Sequence, residues 1–186
     1  MYKLTDLYKQ IKEAEVEPEQ QYKIYCDMDG VLTDFDKRFK NSNPEKLSPS
    51  QYQTKYGTDK FWRLIDGEIG VKFWVGMPWM EDGKQYWDYI KKYNPHILSA
   101  YVEHAHDPNC IPGKSYWAKT NLGIGSNRIN LVKRVQKQNY AKVAGQPAVL
   151  IDDYIKNTDQ FTQRGGHGIR FTSANQAIAE LKKLGF

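Results

Sequence analysis

The hydrophobic and polar positions of the chain predict strands that alternate with helices. β-Forming residues predict strands at residues 22–26, 129–132 and 169–171, and short apolar runs predict two more at 96–100 and 148–151. The run at 148–151 is continuously apolar, which is typical of a strand that is covered on both faces of its sheet. Strands that alternate with helices indicate an α/β fold with a parallel sheet and right-handed crossovers.

Several segments carry the three- and four-residue spacing of amphipathic helices. The first lies in residues 1–20, ahead of the first strand, and Pro18 ends it. We expect this helix to pack against the body of the protein or against a partner subunit, which leaves a homodimer open. Further along, Pro49 starts a helix, and Thr58 starts the next one, whose end we expect at Gly67.

A long insertion at residues 37–82 follows the first strand. It holds many aromatic residues, among them Phe61, Trp62, Phe73 and Trp74. Helical spacing and loop signals alternate within it, so we expect a small, mostly helical module. The predicted organisation is a helix at 1–20, a core formed by 21–36 and 83–186, and an inserted module at 37–82.

Acidic residues follow two of the predicted strands directly. Asp27 and Asp29 end the first strand, and Asp152 and Asp153 end the continuously apolar one. Carboxylates at the end of a buried strand are unfavourable unless a cation lies among them. Gly30 would let the backbone turn sharply and approach a ligand. Because ligands bind at the carboxyl ends of strands in open α/β sheets, these acids predict a site that suits Mg²⁺.

The stretch between these acidic strand ends contains two misleading patterns. The loop at 101–111 holds two histidines and Cys110, but their spacing matches no usual zinc site, so we expect a flexible loop at the mouth of the site. Gly113 and Lys114 look like the end of a phosphate-binding P-loop, yet Pro108 stands where that motif needs glycine. We therefore expect neither a zinc site nor a P-loop.

Composition narrows the class of partner. The 186 residues carry 27 Lys and Arg against 22 Asp and Glu, a net charge of +5 without a block of like charges. We expect an anionic small substrate rather than nucleic acid. Cys26 and Cys110 are the only cysteines, and Cys26 lies in a predicted core strand, so we expect a reducing, cytoplasmic location. We also expect no leader peptide and no membrane span.

The acidic stretch after the first strand carries a resemblance to a known family. Asp27-Met28-Asp29-Gly30-Val31-Leu32, followed by Asp34-Phe35, resembles motif I of the haloacid dehalogenase (HAD) superfamily. Within that superfamily it looks most like the 5'(3')-deoxyribonucleotidases. The resemblance implies a Rossmann-like core with a parallel sheet, and it makes residues 37–82 a small C1-type cap over the active site.

Three later segments are similar to the remaining motifs of this superfamily. Ser99 stands where motif II has Ser or Thr, and Asp152-Asp153 resembles the metal-binding motif IV. Lys114, which precedes Trp117, resembles the motif III lysine, and Lys119 is its competitor for that place. The four motifs follow one another in the order that the superfamily has.

The resemblance also implies the role of each residue. Asp27 would be the nucleophile that the substrate phosphorylates, and Asp29 would serve as acid and then as base. Ser99 would hydrogen-bond the transferring phosphoryl group, and Lys114 would neutralise it. Mg²⁺ would lie among Asp27, Asp29, Asp152 and Asp153, with Asp153 binding through water or pairing with Lys114.

The predicted function is a Mg²⁺-dependent phosphomonoesterase that acts on nucleoside monophosphates, with deoxy forms preferred. Sugar phosphates or the phosphorylated end of a nucleic acid are alternative substrates. A catalytically silent phosphate-binding module is the alternative of another class. The expected substrate-binding residues are two near the motifs, one at the end of the second strand, and four rings of the cap: Gly30, Phe35, Ala100, Phe61, Trp62, Phe73 and Trp74.

Overall fold

A computed structural model describes residues 22–103 and 108–186 of the chain. The amphipathic helix predicted at 1–20 lies outside the described residues, as do both histidines of the predicted loop, His104 and His106. Cys26 and Cys110 are both buried and carry free thiols. No helix in the described part of the chain is long and apolar enough to cross a membrane.

A twisted sheet forms the centre of the molecule. Five of its strands run parallel in the order β3-β2-β1-β5-β6, and the short β4 pairs antiparallel with the start of β5. The strands in the described residues are β1 (Lys23–Cys26), β2 (His96–Ala100), β3 (Ile129–Val132), β4 (Lys142–Val143), β5 (Gln146–Asp152) and β6 (His167–Arg170). The parallel α/β fold predicted from the sequence is thereby confirmed.

Helices flank this sheet and fill the insertion after β1. In the described residues these are α1 (Phe35–Ser42), α2 (Pro49–Tyr56), α3 (Thr58–Trp62), α4 (Val71–Val75), α5 (Gly83–Ile90), α6 (Cys110–Leu122), α7 (Ile155–Gln163) and α8 (Ala174–Lys183). A π-helical segment spans Arg63–Ile69, and 3₁₀ segments span Lys91–Tyr93, Ser126–Arg128 and Arg134–Tyr140. Pro49 opens α2 behind a Ser48 cap, as its sequence position predicts.

The helix that begins at Thr58 continues past the predicted end. Gly67 lies inside the π-helical segment, and the chain turns only at Gly70, where φ is 65°. Leu64 and Ile65 are buried, and Gly70 N donates to Ile65 O at 2.8 Å. The end expected at Gly67 was therefore wrong, because the left-handed conformation that ends the segment falls on Gly70.

Alternation along the central strands buries both faces of the sheet. Ile24 and Cys26 of β1 face the larger apolar core, whereas Tyr25 between them faces a smaller one. In β5, Val149 likewise faces the larger core and Leu150 the smaller one. Strands buried on both faces read as continuous apolar runs. Polar side chains are therefore left to the strand ends, where the acids lie.

The insertion packs its rings together and attaches to α6. Trp117 Nε1 of α6 donates to Met77 O at 2.8 Å, and Asn109 Nδ2 donates to Asp66 O at 3.1 Å. α1 begins at Phe35 and so crosses the boundary predicted at residue 37. The division into core and cap stays a prediction. Along the chain, the insertion follows the turn after β1 and ends before α5.

Candidate active site

The turn after β1 fixes two carboxylates in place. Asp27 N donates to Ile151 O at 2.9 Å, so the backbone still follows β5 when it reaches the first acid. Thr33 N then donates to Met28 O at 2.8 Å, and Gly30 N donates to Thr33 O at 2.9 Å, which closes a tight turn around the second acid. This turn holds Asp27 and Asp29 at the carboxyl edge of the sheet.

Gly30 is required in this turn for two reasons. Its φ is 77°, in the left-handed region that glycine enters without steric cost. A β-carbon at this position would also lie 2.3 Å from Asp153 Oδ2. The missing side chain thus lets the carboxylate that follows β5 come close to the turn that follows β1. Gly30 brings two strand ends together, and its predicted contact with substrate stays a prediction.

Asp27 is a buried carboxylate that is held at both oxygens. Its Oδ1 accepts from Met28 N at 2.7 Å, and its Oδ2 lies 2.8 Å from Lys137 Nζ. Burial alone would raise the pKa of Asp27, but the charges of Lys137 and Lys114 hold it below its ordinary value. The Asp27 side chain therefore stays ionised.

Lys137 is a site residue that the sequence analysis missed. Its side chain is 2% exposed, and its Nζ lies 2.6 Å from Asp152 Oδ2 as well as 2.8 Å from Asp27 Oδ2. The lysine sits in the 3₁₀ segment that follows β3. The strand-end rule that located the acids applies equally to β3 and could have pointed to this segment. Several nearby lysines and arginines made it look like an ordinary basic surface stretch.

The buried side chain of Asp152 accepts four hydrogen bonds from three donor groups. Its oxygens accept from Lys137 Nζ, from Tyr154 N at 2.9 Å, and twice from Asn157 Nδ2 at 3.0 and 2.9 Å. Burial and the nearby charge of Asp27 nevertheless raise the pKa of Asp152 to about 7. The same two causes raise the pKa of Asp153 to about 6. Negative charge is therefore in excess at this edge of the sheet.

Lys114 pairs with Asp29. Its Nζ lies 2.7 Å from Asp29 Oδ2, and it donates to Ser99 Oγ at 3.2 Å and to Ala100 O at 2.6 Å. The Asp29 Oδ1 atom accepts from Thr33 Oγ1 at 2.8 Å. Asp153 was expected either to bind the metal through water or to pair with Lys114, but the salt bridge of Lys114 is with Asp29, the second acid of the turn. Lys119, the competing lysine, is exposed one turn later on α6.

The acids at the strand ends fit a divalent cation. Carboxylate oxygens of Asp27, Asp152 and Asp153 all lie within 4.8 Å of one another. With Asp29, four carboxylates face the ammonium groups of Lys114 and Lys137, so two negative charges remain unbalanced when all are ionised. An all-oxygen donor set with two excess negative charges suits Mg²⁺. Two of the three acids have raised pKa values, and a cation bound among them would lower both.

Comparisons with known proteins identify the fold. A hydrolase from Streptococcus pneumoniae TIGR4 superposes with a TM-score of 0.52 at 11% identity, covering 89% of this chain and 98% of the other. L-2-haloacid dehalogenase from Xanthobacter autotrophicus superposes with a TM-score of 0.50 at 14% identity, covering 88% and 82%. No protein-family model and no curated protein sequence matches the chain.

The chain has a haloacid dehalogenase-like fold. At identities of 11% and 14% the likeness concerns the fold alone. It confirms the Rossmann-like HAD core that the motif I resemblance implied. The deoxyribonucleotidase family stays a prediction.

One cavity of about 530 Å³ opens over the carboxyl edge of this HAD-like sheet. Its described lining residues come from the strand ends, the start of α1, the end of the insertion, the segment after β3 and α7: Asp27, Asp29, Gly30, Asp34, Phe35, Asp36, Met80, Ser99, Ala100, Arg134, Lys137, Asp153 and Asn157. Asp152 and Lys114 lie directly behind this wall, bonded to residues that form it. Residues of predicted motifs I, II and IV therefore line the cavity, and the predicted motif III lysine contacts two of them, Asp29 and Ser99.

Most of the aromatic residues predicted to bind substrate are placed elsewhere. Phe35 is the one ring among the described residues that line the cavity, and it is half-buried. Phe61, Phe73 and Trp74 are buried behind it, with Phe73 and Trp74 at ring distances of 5.3 and 5.9 Å from Phe35. Trp62 packs edge-on against Phe61. A part for these four rings in substrate binding stays a prediction.

Two further polar residues of the cavity were also missed from the sequence. Arg134 Nη1 donates to Asn157 Oδ1 at 3.1 Å, and the amide nitrogen of Asn157 faces Asp152. The arginine thus fixes which end of the amide meets the carboxylate, because a guanidinium can only donate. A hydrogen-bonded path runs from the cavity wall to a candidate metal ligand.

Proposed function

We propose that the chain is a phosphomonoesterase that works through a phosphorylated Asp27. The observation that carries the proposal is the presence of two carboxylate–lysine contacts at one cavity, each with a buried lysine: Asp27 with Lys137, and Asp29 with Lys114. A nucleophile and an acid–base group next to one another can divide a difficult displacement into two easier steps. Each is held by its own buried cation.

In the first step a carboxylate oxygen of Asp27 attacks the phosphorus of the monoester. The bond from phosphorus to the leaving oxygen breaks, and Asp29 donates a proton to that oxygen. Lys114 and the Ser99 hydroxyl lie where they can stabilise the charge on the phosphoryl oxygens. Lys137 keeps Asp27 ionised and oriented before the attack.

In the second step Asp29, now a carboxylate, removes a proton from a water molecule. The water oxygen bonds to phosphorus, the bond from phosphorus to Asp27 breaks, and inorganic phosphate leaves. Asp29 is well suited to both steps because its side chain is 31% exposed and can exchange protons with solvent. The Asp27 side chain, by contrast, is buried and largely shielded from solvent.

Mg²⁺ would be held by Asp27, Asp152 and Asp153, with Asp29 close by. Bound there, it would supply positive charge to the phosphoryl group and to the gathered carboxylates. Asn157 and Tyr154 N hold Asp152 in a fixed orientation for this purpose. Lys137 already bridges two of the candidate ligands.

Nucleoside monophosphates, with deoxy forms preferred, are the substrates that we propose. The support is Phe35, whose half-buried ring stands at the cavity and is backed by Phe73 and Trp74. A nucleobase gains about 1–3 kcal/mol by stacking on such a ring. Sugar phosphates are the second candidate, because Asp34 and Asp36 also line the cavity and could accept hydrogen bonds from sugar hydroxyls.

The test is hydrolysis of p-nitrophenyl phosphate, with Mg²⁺ and with a chelator, by wild type and by Asp27→Asn. Wild type should require Mg²⁺, and the variant should lose at least ~1,000-fold in kcat with an unchanged melting temperature to within a few degrees, since the nucleophile is lost. Asp159→Asn, an exposed acid on α7, is the matched control and should keep its activity. A wild type that binds phosphate without turnover would identify a silent binding module.

The substrate is then decided by a panel of nucleotides and sugar phosphates at equal concentration. The proposal expects the highest kcat/KM for a deoxynucleoside monophosphate. A clear preference for a sugar phosphate would still support a phosphatase but would contradict a nucleotidase. The same panel should include an oligonucleotide with a terminal phosphate, which represents the remaining alternative.

A further inference from the structure

Lys114 lies close to an aromatic ring in addition to its polar partners. Besides Asp29, Ser99 and Ala100 O, its ammonium group lies 5.4 Å from the ring centroid of Trp74. Trp74 belongs to α4, in the inserted segment, whereas Lys114 belongs to α6. A lysine stem has four rotatable carbons, so its direction must be imposed by what surrounds it.

The tryptophan reaches this place because α4 and α6 approach closely at a glycine. A β-carbon on Gly113 would lie 2.4 Å from Trp74 Cβ and 3.3 Å from Val71 O. Gly113 immediately precedes Lys114, so the point of closest approach fixes the lysine at its root. Trp74 is 1% exposed, and its ring lies over the ammonium group rather than in the cavity.

The surroundings of the Trp74 indole nitrogen raise the question of why this position holds a tryptophan. Trp74 Nε1 is buried and has no hydrogen-bond partner among the described residues. Trp117 Nε1 on α6 shows the usual arrangement, since it donates to Met77 O. A buried donor without a partner is unfavourable, and a phenylalanine would avoid it. What tryptophan offers over phenylalanine is the aromatic face that attracts a cation most strongly.

We propose that Trp74 is a positioning residue whose ring holds the Lys114 ammonium group against Asp29 and Ser99. The inference rests on the proposed function for its meaning, because Asp29 and Ser99 act there on the phosphoryl group. It gives Trp74 a different part from the base-stacking one expected from the sequence. It also means that α4 must pack correctly on α6 for the Asp29–Lys114 pair to be ordered.

The test compares Trp74→Leu and Trp74→Phe with Phe39→Leu. Phe39 is another fully buried ring of the insertion, and it packs on Phe61 and Tyr52 instead of on a lysine. Trp74→Leu should lower kcat for p-nitrophenyl phosphate about tenfold with KM changed less than about twofold, which corresponds to roughly 1.4 kcal/mol of transition-state stabilisation. Trp74→Phe, which keeps an aromatic face, should recover most of kcat.

Phe39→Leu should lower the melting temperature by a similar amount and leave kcat unchanged. The inference is overturned if kcat follows melting temperature alike in all three variants, or if Trp74→Leu keeps wild-type kcat. Should Trp74→Leu fail to fold, Trp74→Phe at a temperature well below its melting point still decides, with a measurable loss in kcat and unchanged KM supporting the proposal.

An NMR measurement separates this inference from the proposed function. In wild type labelled with ¹³C-lysine, the ε-methylene protons of Lys114 should be shifted upfield by the ring current of Trp74. Trp74→Leu should abolish that shift, and Trp74→Phe should keep part of it. A wild type without phosphatase activity but with the shift would refute the function and leave the packing intact. Absence of the shift in wild type would refute the inference itself.

Discussion

Two buried lysines serve the same cavity in different surroundings. Lys137 lies between the carboxylates of Asp27 and Asp152, which are 9% and 0% exposed. Lys114 meets Asp29, which is 31% exposed, and also touches a hydroxyl and a carbonyl oxygen. Burial lowers and the facing carboxylates raise the pKa of each lysine, and the net direction is upward for both. Both ammonium groups therefore stay charged.

The difference between them indicates a division of labour. Lys137 is bonded to two acids that water scarcely reaches, so it keeps the proposed nucleophile Asp27 ionised and offsets part of the repulsion between Asp27 and Asp152. Lys114 is bonded to Asp29, which solvent reaches, and it faces the Ser99 hydroxyl, which is expected to meet the phosphoryl group. We expect Lys137 to matter for both stability and chemistry, and Lys114 to matter mainly for chemistry.

Of the two lysines, Lys137 should show the larger effect when it is replaced by Met. Loss of this cation should lower kcat by about 100- to 1,000-fold, as loss of a preorganised charge does. Without Mg²⁺ it should also lower the free energy of unfolding by about 3 kcal/mol or more, because Asp27 and Asp152 lose their buried partner. Steady-state kinetics and urea denaturation measure the two effects.

Lys114→Met sharpens the comparison. It should also lower kcat strongly, by about 100-fold, but with a smaller loss of stability because water can solvate Asp29. Lys119→Met, on the exposed face of α6, is the control and should change neither quantity. A larger fall in turnover for Lys119→Met, or an equal loss of stability in the two buried-lysine variants, would contradict the division of labour.

A further prediction concerns how pH and Mg²⁺ affect stability through the acids near Lys137. The raised pKa values of Asp152 and Asp153, about 7 and 6, mean that the metal-free folded protein binds protons that the unfolded chain has lost. Its free energy of unfolding due to these acids therefore falls as pH rises from about 4 to 7. Mg²⁺ competes with those protons, so the rise in melting temperature that it causes should be larger at pH 8 than at pH 5.

Comparing melts with and without Mg²⁺ at each pH removes an opposing contribution. Burial lowers the pKa of His96 to about 4, so this residue stabilises the folded protein increasingly as pH rises toward 6.5. His96 lies at the start of β2, away from the acids, and its contribution cancels in the difference. An equal Mg²⁺ effect at both pH values would mean that the ion does not bind at these carboxylates.

The last expected effect is on KM and concerns Phe35, which lines the same cavity. Phe35→Leu keeps an apolar side chain against Phe73 and Trp74 but removes the stacking face. KM for a deoxynucleoside monophosphate should rise by roughly 5- to 150-fold if the ring contributes about 1–3 kcal/mol. KM for p-nitrophenyl phosphate should stay nearly unchanged. Equal changes for both substrates would remove Phe35 from the base pocket.

The sequence predicted the sheet well because its pattern is local. Continuous apolar runs such as residues 148–151 can only be buried on both faces, and the acids directly after them had to lie at the strand ends. The end of the helix that begins at Thr58 was harder to place. Two glycines, Gly67 and Gly70, could each end it, and only the three-dimensional packing of Leu64 and Ile65 decides between them.

The residues of the site also differ in how well the sequence predicts their position. Asp27 and Asp152 stand in short, specific motifs next to strong strands, so their position was predictable. Lys137 stands in a basic 3₁₀ segment after a weak strand, and its burial depends on two acids that are distant in sequence. The rings of the insertion were predictable as aromatic residues, but which of them faces the cavity depends on how α1 and α4 pack.

The most direct measurement is a crystal structure of the protein with Mg²⁺ and beryllium fluoride, which mimics a phosphoryl group. The account predicts beryllium bonded to a carboxylate oxygen of Asp27, with fluorine atoms within hydrogen-bond distance of Ser99 Oγ and Lys114 Nζ. Mg²⁺ should lie among Asp27, Asp152 and Asp153. An adduct on any other residue, or no adduct under conditions where the ligand inhibits turnover, would contradict Asp27 as the nucleophile.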